Sequence, residues 1–227
     1  MVLAQAGESV PTVFDGIANT VSLVVLLLEF GMLRAALLRG QVRLYAGQSL
    51  TVSVLAAVVA FGHGVPELYA LAVLSLLLKV VAVPTLILRL LREADEEIAG
   101  SGALGVANEV LISIAVAAFG FFAVGALGIH SDVLPTAALS LSVAVILVAF
   151  ILMIVRRDVV SQAIGFFSLE NGVSLASLVV AAGMPLILEV AFLFDLLVAV
   201  VVFGVLMRSH HRRTQSLSTE TLDRLRG

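Results

Sequence analysis

Apolar residues run along this chain in unbroken stretches of roughly 20 positions, without the alternation of period two that marks a strand. Seven such stretches can be drawn, over about 16–38, 46–62, 67–91, 104–128, 134–156, 159–181 and 184–207, the second being the shortest. Each matches the length a helix needs to cross about 30 Å of hydrocarbon. In lipid every backbone N–H and C=O must be paired within the protein, so only helices or closed barrels span it, and continuous apolar runs exclude the barrel. The pattern therefore predicts an all-α integral membrane protein, a seven-transmembrane-helix bundle with short connections and no extramembrane domain.

Composition strengthens this reading. Of 227 residues, 61% are hydrophobic, and the mean hydropathy is +1.16. A soluble chain this apolar could not cover its own surface. The absence of cysteine removes iron–sulfur clusters, thiolate zinc sites and disulfides, so any redox chemistry must sit on a partner. The first residues carry Glu8 and Asp15 in place of the basic region of a cleaved leader, which predicts a retained, non-cytoplasmic N-terminus. No cofactor, metal site or nucleic-acid partner is expected; the lipid bilayer is.

The net charge of −3 says little, because the placement of basic residues sets orientation. Apart from Lys79, they fall at Arg34, Arg39 and Arg43, at Arg89 and Arg92, at Arg156 and Arg157, and from Arg208 to Arg226. All flank alternate helix ends, while the connections near 63–67, 129–132 and 182–185 have none. The positive-inside rule then places the C-terminus in the cytoplasm and the N-terminus outside, which an odd number of spans satisfies. The compartment expected is a prokaryotic inner membrane.

A weak internal echo accompanies this topology. VSVLAAVVAFG (52–62) and VSLASLVVAAG (173–183) agree at six of eleven positions, and each leads to a proline, Pro66 or Pro185. If it reflects duplication, the bundle reads as 3+1+3, with two parallel three-helix repeats joined by the fourth span.

Ionisable side chains deep in a bilayer cost about 2.5–3.5 kcal/mol each and are functional candidates by default. The candidates are Glu29 in the first span, Lys79 in the third, Glu170 in the sixth, and Glu189 and Asp195 in the seventh; Glu109 lies nearer the arginine-bearing end. Lys79 and Glu170 are each far from both ends of their spans. Desolvation favours a neutral carboxyl and a nearby ammonium favours the carboxylate, so an acid next to a lysine can take up and release a proton as its surroundings change. The bland alternative is a static buried pair that fixes helix register. Carboxylate partners for Lys79 within the chain are Glu29, Glu170 and Asp195, and Glu29 could instead pair with Arg34. Glu189 and Asp195 are six residues apart, so their faces differ by about 120° and they cannot point the same way. His63 and His130 read as solvated loop residues. The HHRR run at 210–213 reads as a lipid-anchoring basic patch. Gly172 and Gly183, beside Ser174 and Ser177, read as packing positions.

The last third carries a family resemblance. LSLSVAVILVAFILMIVRRD (139–158), IGFFSLENGVSLASLVVAAG (164–183) and the C-terminal HRRTQSL and RLRG segments resemble subunit K of bacterial complex I and the small C subunit of Mrp-type cation antiporters. There, a hairpin with two arginines precedes a mid-membrane glutamate, which Glu170 matches in context, although its gap from Arg157 is about one helical turn longer. A second acid follows, matched by either Glu189 or Asp195, of which Asp195 lies deeper. The four additional N-terminal spans and the LENGVSLASL form of the motif are more similar to component E of hydrogenase-4 and formate hydrogenlyase-type complexes.

That resemblance implies an N-terminal four-helix extension over 1–133, a subunit K-like module over 134–207 and a cytoplasmic basic tail over 208–227. It also implies a subunit without its own catalysis in a membrane-bound [NiFe] hydrogenase. Its partners there would be antiporter-like proteins and a relative of the H-type membrane subunit of complex I. Glu170, Asp195, Lys79, Glu189 and Glu29 would contribute to a proton or sodium route. The competing reading is an assembly subunit whose buried charges only hold helices together. A retinal protein fits poorly, because its Schiff-base lysine belongs in the last helix and Lys79 is in the third.

Overall fold

The computed structural model describes residues 13–63, 66–94, 98–99, 104–127, 135–180, 201 and 204. Every regular element among them is helical: α1 (Val13–Arg34), α2 (Leu38–His63), α3 (Pro66–Ser75), a π-helical segment (Leu76–Ala82), α4 (Val83–Ala94), α5 (Val106–Ala126), α6 (Thr136–Val155) and α7 (Val159–Val180). α3, the π segment and α4 run on as one span, so the described residues supply six helices long and apolar enough to cross a membrane. The expected seventh span, with Glu189 and Asp195, lies outside the described residues, as do His130 and the basic tail.

Local sequence explains where the helices turn. Gln41 donates to the Ala35 carbonyl (3.3 Å), closing the α1–α2 turn from inside α2. Asp158 caps α7: its Oδ1 accepts the Ser161 backbone N–H at 2.7 Å, and its carbonyl accepts that of Gln162. Arg156 is extended at the end of α6 and donates to the Leu33 carbonyl at the end of α1. An isolated bridge joins Leu37 to Ile98. These contacts bring the α1–α2 turn, Ile98 and Ala99, and the α6–α7 connection together at one end of the bundle, the end that carries Arg34, Arg39, Arg43, Arg156 and Arg157.

One sequence boundary is corrected. The second span was expected over 46–62, but α2 begins at Leu38. Arg39 and Arg43, which suggested a loop, sit on an exposed side of the helix and so extend it beyond the apolar stretch without burying charge.

α2 is the hub. It packs on α1, on α3, the π segment and α4, and on α7, while α6 lies against α7, α5 and α1. Gly165 and Gly172 let α6 and α7 approach closely. A Cβ on Gly172 would lie 2.7 Å from Ile146 Cγ1 and 3.2 Å from its backbone nitrogen, and one on Gly165 would lie 2.7 Å from Met153 Cγ. Large apolar side chains such as Phe61, Phe119, Phe122 and Ile154 point outward, as lipid-facing positions do.

The core has two larger apolar clusters at different depths and a small one of Ala117, Ala144 and Val148 between α5 and α6. One joins Val25, Leu55, Val59, Ala72, Leu175 and Leu178. The other, toward the arginine-bearing end, joins Leu33, Val42, Tyr45, Ile87, Leu152 and Phe167. Between the clusters, α1, α2, the π segment and α7 bury the polar side chains Glu29, Gln48, Ser49, Lys79, Ser168 and Asn171, and these form the site.

A candidate ion-handling belt at mid-bundle

The π segment places Lys79. Pro84 lacks an N–H and cannot extend a regular ladder to the preceding turn, and the Val83 N–H reaches back five residues to the Leu78 carbonyl. This widened turn holds Lys79 as its buried residue, 1% exposed. Lys79 Nζ lies 3.1 Å from Glu170 Oε1 and donates to Ser174 Oγ at 3.0 Å. Glu170 and Ser174 are four residues apart on α7 and present one face to the lysine. Of the carboxylates expected to meet Lys79, Glu170 does so and Glu29 pairs elsewhere, while Asp195 lies outside the described residues.

Glu29 anchors a second group, joining α1, α2 and α7. Its Oε2 accepts from Gln48 Nε2 at 2.9 Å and from the Ser168 hydroxyl. Gln48 Nε2 also donates to the Val25 carbonyl at 3.2 Å. Gln48 Oε1 takes Asn171 Nδ2 at 3.0 Å and lies 2.8 Å from Ser168 Oγ, and Asn171 Nδ2 also donates to Ser49 Oγ at 2.9 Å. The pairing of Glu29 with Arg34 does not form: Glu29 is fully buried and Arg34 is exposed.

The two groups meet on α7, where Glu170 and Asn171 are adjacent, and on α2. The Tyr45 hydroxyl is buried beside Ser49 and within electrostatic reach of Glu170, and its ring packs on Phe167 with centroids 5.9 Å apart. Further toward the arginine-bearing end, Ser161 Oγ donates to Gln41 Oε1 at 2.8 Å. Gln41, Tyr45, Gln48 and Ser49 recur at helical spacing, so α2 carries a polar stripe from that end to the middle of the bundle. On the other side Ser53 contacts Ser75 at 3.1 Å, at the start of the π segment.

Of the residues singled out from the sequence, the structure brings Lys79 and Glu170 together and sets Glu29 in the neighbouring cluster, while Tyr45, Gln48, Ser49, Ser168 and Asn171 were not singled out. With the second span begun at 46, Gln48 fell at a membrane surface; with α2 begun at Leu38, it falls mid-helix. Glu109 is buried in the first turn of α5, away from the belt. Among the described residues no group of three or more His, Cys, Asp and Glu is placed to hold a metal ion. The arrangement sets a buried charge pair, Lys79 with Glu170, beside a polar cluster built on a second buried acid, Glu29.

The described residues form an all-helical bundle whose six long apolar helices are compatible with a multi-pass membrane protein, with Glu29, Lys79 and Glu170 buried or nearly so within it. The chain is 30% identical over 175 residues to the uncharacterized protein Rv0085 of Mycobacterium tuberculosis, covering 74% of this chain and 77% of that protein, and it belongs to the same family. No protein-family profile matches the chain. No solved structure matches it either.

Proposed function

We propose that the chain is a non-catalytic membrane subunit of a complex I-like, membrane-bound [NiFe] hydrogenase, and that its buried acids form part of a proton or sodium route coupled to electron transfer on partner subunits. The observation that carries this reading is the Lys79–Glu170 pair, 3.1 Å apart in the interior of an apolar bundle. Burying two charges is expensive even when they are paired, and a well-packed apolar pair often serves stability as well or better. Their retention at mid-membrane favours a group that changes charge state in use. Glu170 also lies in the SLENGVSLASL segment that resembles component E of the hydrogenase-4 type.

In this reading the bundle has seven spans, the seventh bringing Asp195 or Glu189 as a further acid, with the N-terminus outside and the C-terminus cytoplasmic. The arginine-bearing end then faces the cytoplasm, and the Gln41–Tyr45–Gln48 stripe leads from it to the belt. An arriving proton neutralises Glu170 and releases Lys79 toward Ser174; departure of the proton restores the pair.

The assembly-subunit alternative draws on the same network, since Gln48, Ser168 and Asn171 cross-link α2 and α7. Purification of the tagged chain in mild detergent, followed by identification of what accompanies it, tests the assignment. Antiporter-like membrane proteins and a relative of the H-type subunit of complex I are expected, together with a hydrogenase module. Isolation of the chain without them contradicts it.

A further inference from the structure

The Glu29 cluster holds more buried oxygen than its hydrogens can serve. The Ser168 hydroxyl has one hydrogen yet contacts two acceptors, Glu29 Oε2 and Gln48 Oε1, so one of those contacts lacks a proton if Glu29 is ionised. Both amide hydrogens of Gln48 are used, on the Val25 carbonyl and Glu29. Those of Asn171 are used on Gln48 and Ser49. Glu29 Oε1 and Asn171 Oδ1 remain, buried and without a hydrogen-bond partner. Glu29, Gln48, Ser168 and Asn171 all have 0% exposure.

A buried oxygen without a donor is normally avoided, and two in one cluster point to a missing electron-pair acceptor. A proton on Glu29 Oε2 would resolve the Ser168 conflict but leave Glu29 Oε1 and Asn171 Oδ1 bare. A cation seated among them would take up the electron pairs that no hydrogen serves. The oxygens are carboxylate, amide and hydroxyl, with no imidazole or thiolate, which selects a hard ion over a transition metal. The cluster has one acid, and the lysine of the belt is engaged by Glu170 and Ser174. One negative charge balances a monovalent ion and leaves a divalent one uncompensated in the interior.

We propose that Glu29, Gln48, Ser168 and Asn171 bind one dehydrated alkali cation, Na⁺, between α1, α2 and α7. Glu29 supplies the charge, and Asn171 Oδ1 the neutral oxygen that no donor occupies. The inference names the ion for one part of the route proposed above, but it stands on the hydrogen count of this cluster and not on membership of a hydrogenase assembly.

The test uses the purified full-length chain in detergent, its thermal unfolding followed as NaCl replaces choline chloride at constant ionic strength. A ligand bound by the folded state alone raises Tm in proportion to its occupancy. Wild type is expected to show a saturable, Na⁺-specific rise, retained in Glu109→Gln, whose acid is buried elsewhere. Ser168→Ala should raise the half-saturating concentration by about tenfold or more, and Glu29→Gln should abolish the rise. Equal stabilisation of wild type by NaCl and choline chloride overturns the proposal, leaving a water or a proton to fill the cluster. An unchanged Na⁺ response in Glu29→Gln also overturns it. Should Glu29→Gln fail to fold, an unchanged half-saturation in Ser168→Ala overturns it. None of these outcomes bears on which proteins accompany the chain.

Discussion

Lys79 and Glu170 are 91 positions apart in sequence, yet Nζ and Oε1 meet at 3.1 Å between a π-helical turn and α7. Each side chain is nearly removed from solvent, at 2% and 12% exposure. Removing one partner therefore strands the other in the interior, at a cost of about 3–5 kcal/mol, whereas removing both deletes the two desolvation penalties together. Lys79→Met should destabilise the chain more than the double variant Lys79→Met, Glu170→Gln. Thermal unfolding of both in detergent checks this, and strictly additive losses would show that the two groups do not depend on one another.

The glycines on α7 give a prediction about packing alone. Gly172→Ala should destabilise by about 1–3 kcal/mol, because its Cβ would press on Ile146, including the backbone. Gly47 is also helical, but a Cβ there meets nothing within 4 Å. Gly47→Ala should be neutral or stabilising by up to about 1 kcal/mol. Unfolding midpoints of the two variants should lie on opposite sides of wild type or nearly so.

Capping provides an independent local check. Asp158 accepts the Ser161 N–H at the start of α7, so Asp158→Ala should cost about 1 kcal/mol or more, and Asp158→Asn should recover most of it. Equal losses in the two variants would assign the effect to the negative charge and not to the cap.

Much of this architecture was legible because span length is set by the bilayer and apolar runs register it directly. The same reasoning singled out Glu29, Lys79 and Glu170, since charge inside an apolar run is conspicuous. Uncharged polar residues are not. Gln48, Ser168 and Asn171 are tolerable singly in a span, and their convergence depends on the start of α2, which Arg39 and Arg43 disguised. The π segment had Pro84 as its one sequence signal, and a proline in a span more often marks an ordinary kink. Glu189 and Asp195 lie outside the described residues.

The proposed orientation rests on the arginines and can be read by chemistry, because the chain has no cysteine of its own. Single cysteines introduced by Ser9→Cys and Ser218→Cys should respond oppositely to a membrane-impermeant thiol label in intact cells. Labelling at 9 with protection at 218 is expected. The reverse pattern would invert the bundle and direct the polar stripe of α2 outward.

The central claim is that the buried pair changes charge state while ions move. Its most direct test is ion uptake into vesicles containing the proposed assembly, driven by electron transfer on the proposed partner subunits, for wild type, Glu170→Gln, Lys79→Met and Lys79→Arg. Gln keeps the volume of Glu170 but holds no exchangeable charge, and Arg keeps the charge of Lys79 while being far harder to deprotonate. With assembly intact, uptake should fall in Glu170→Gln and Lys79→Met to a similar extent, and Lys79→Arg should separate the need for a charge from the need for a movable proton. Wild-type uptake in both Glu170→Gln and Lys79→Met would contradict the account and leave the pair a structural tie between the π segment and α7.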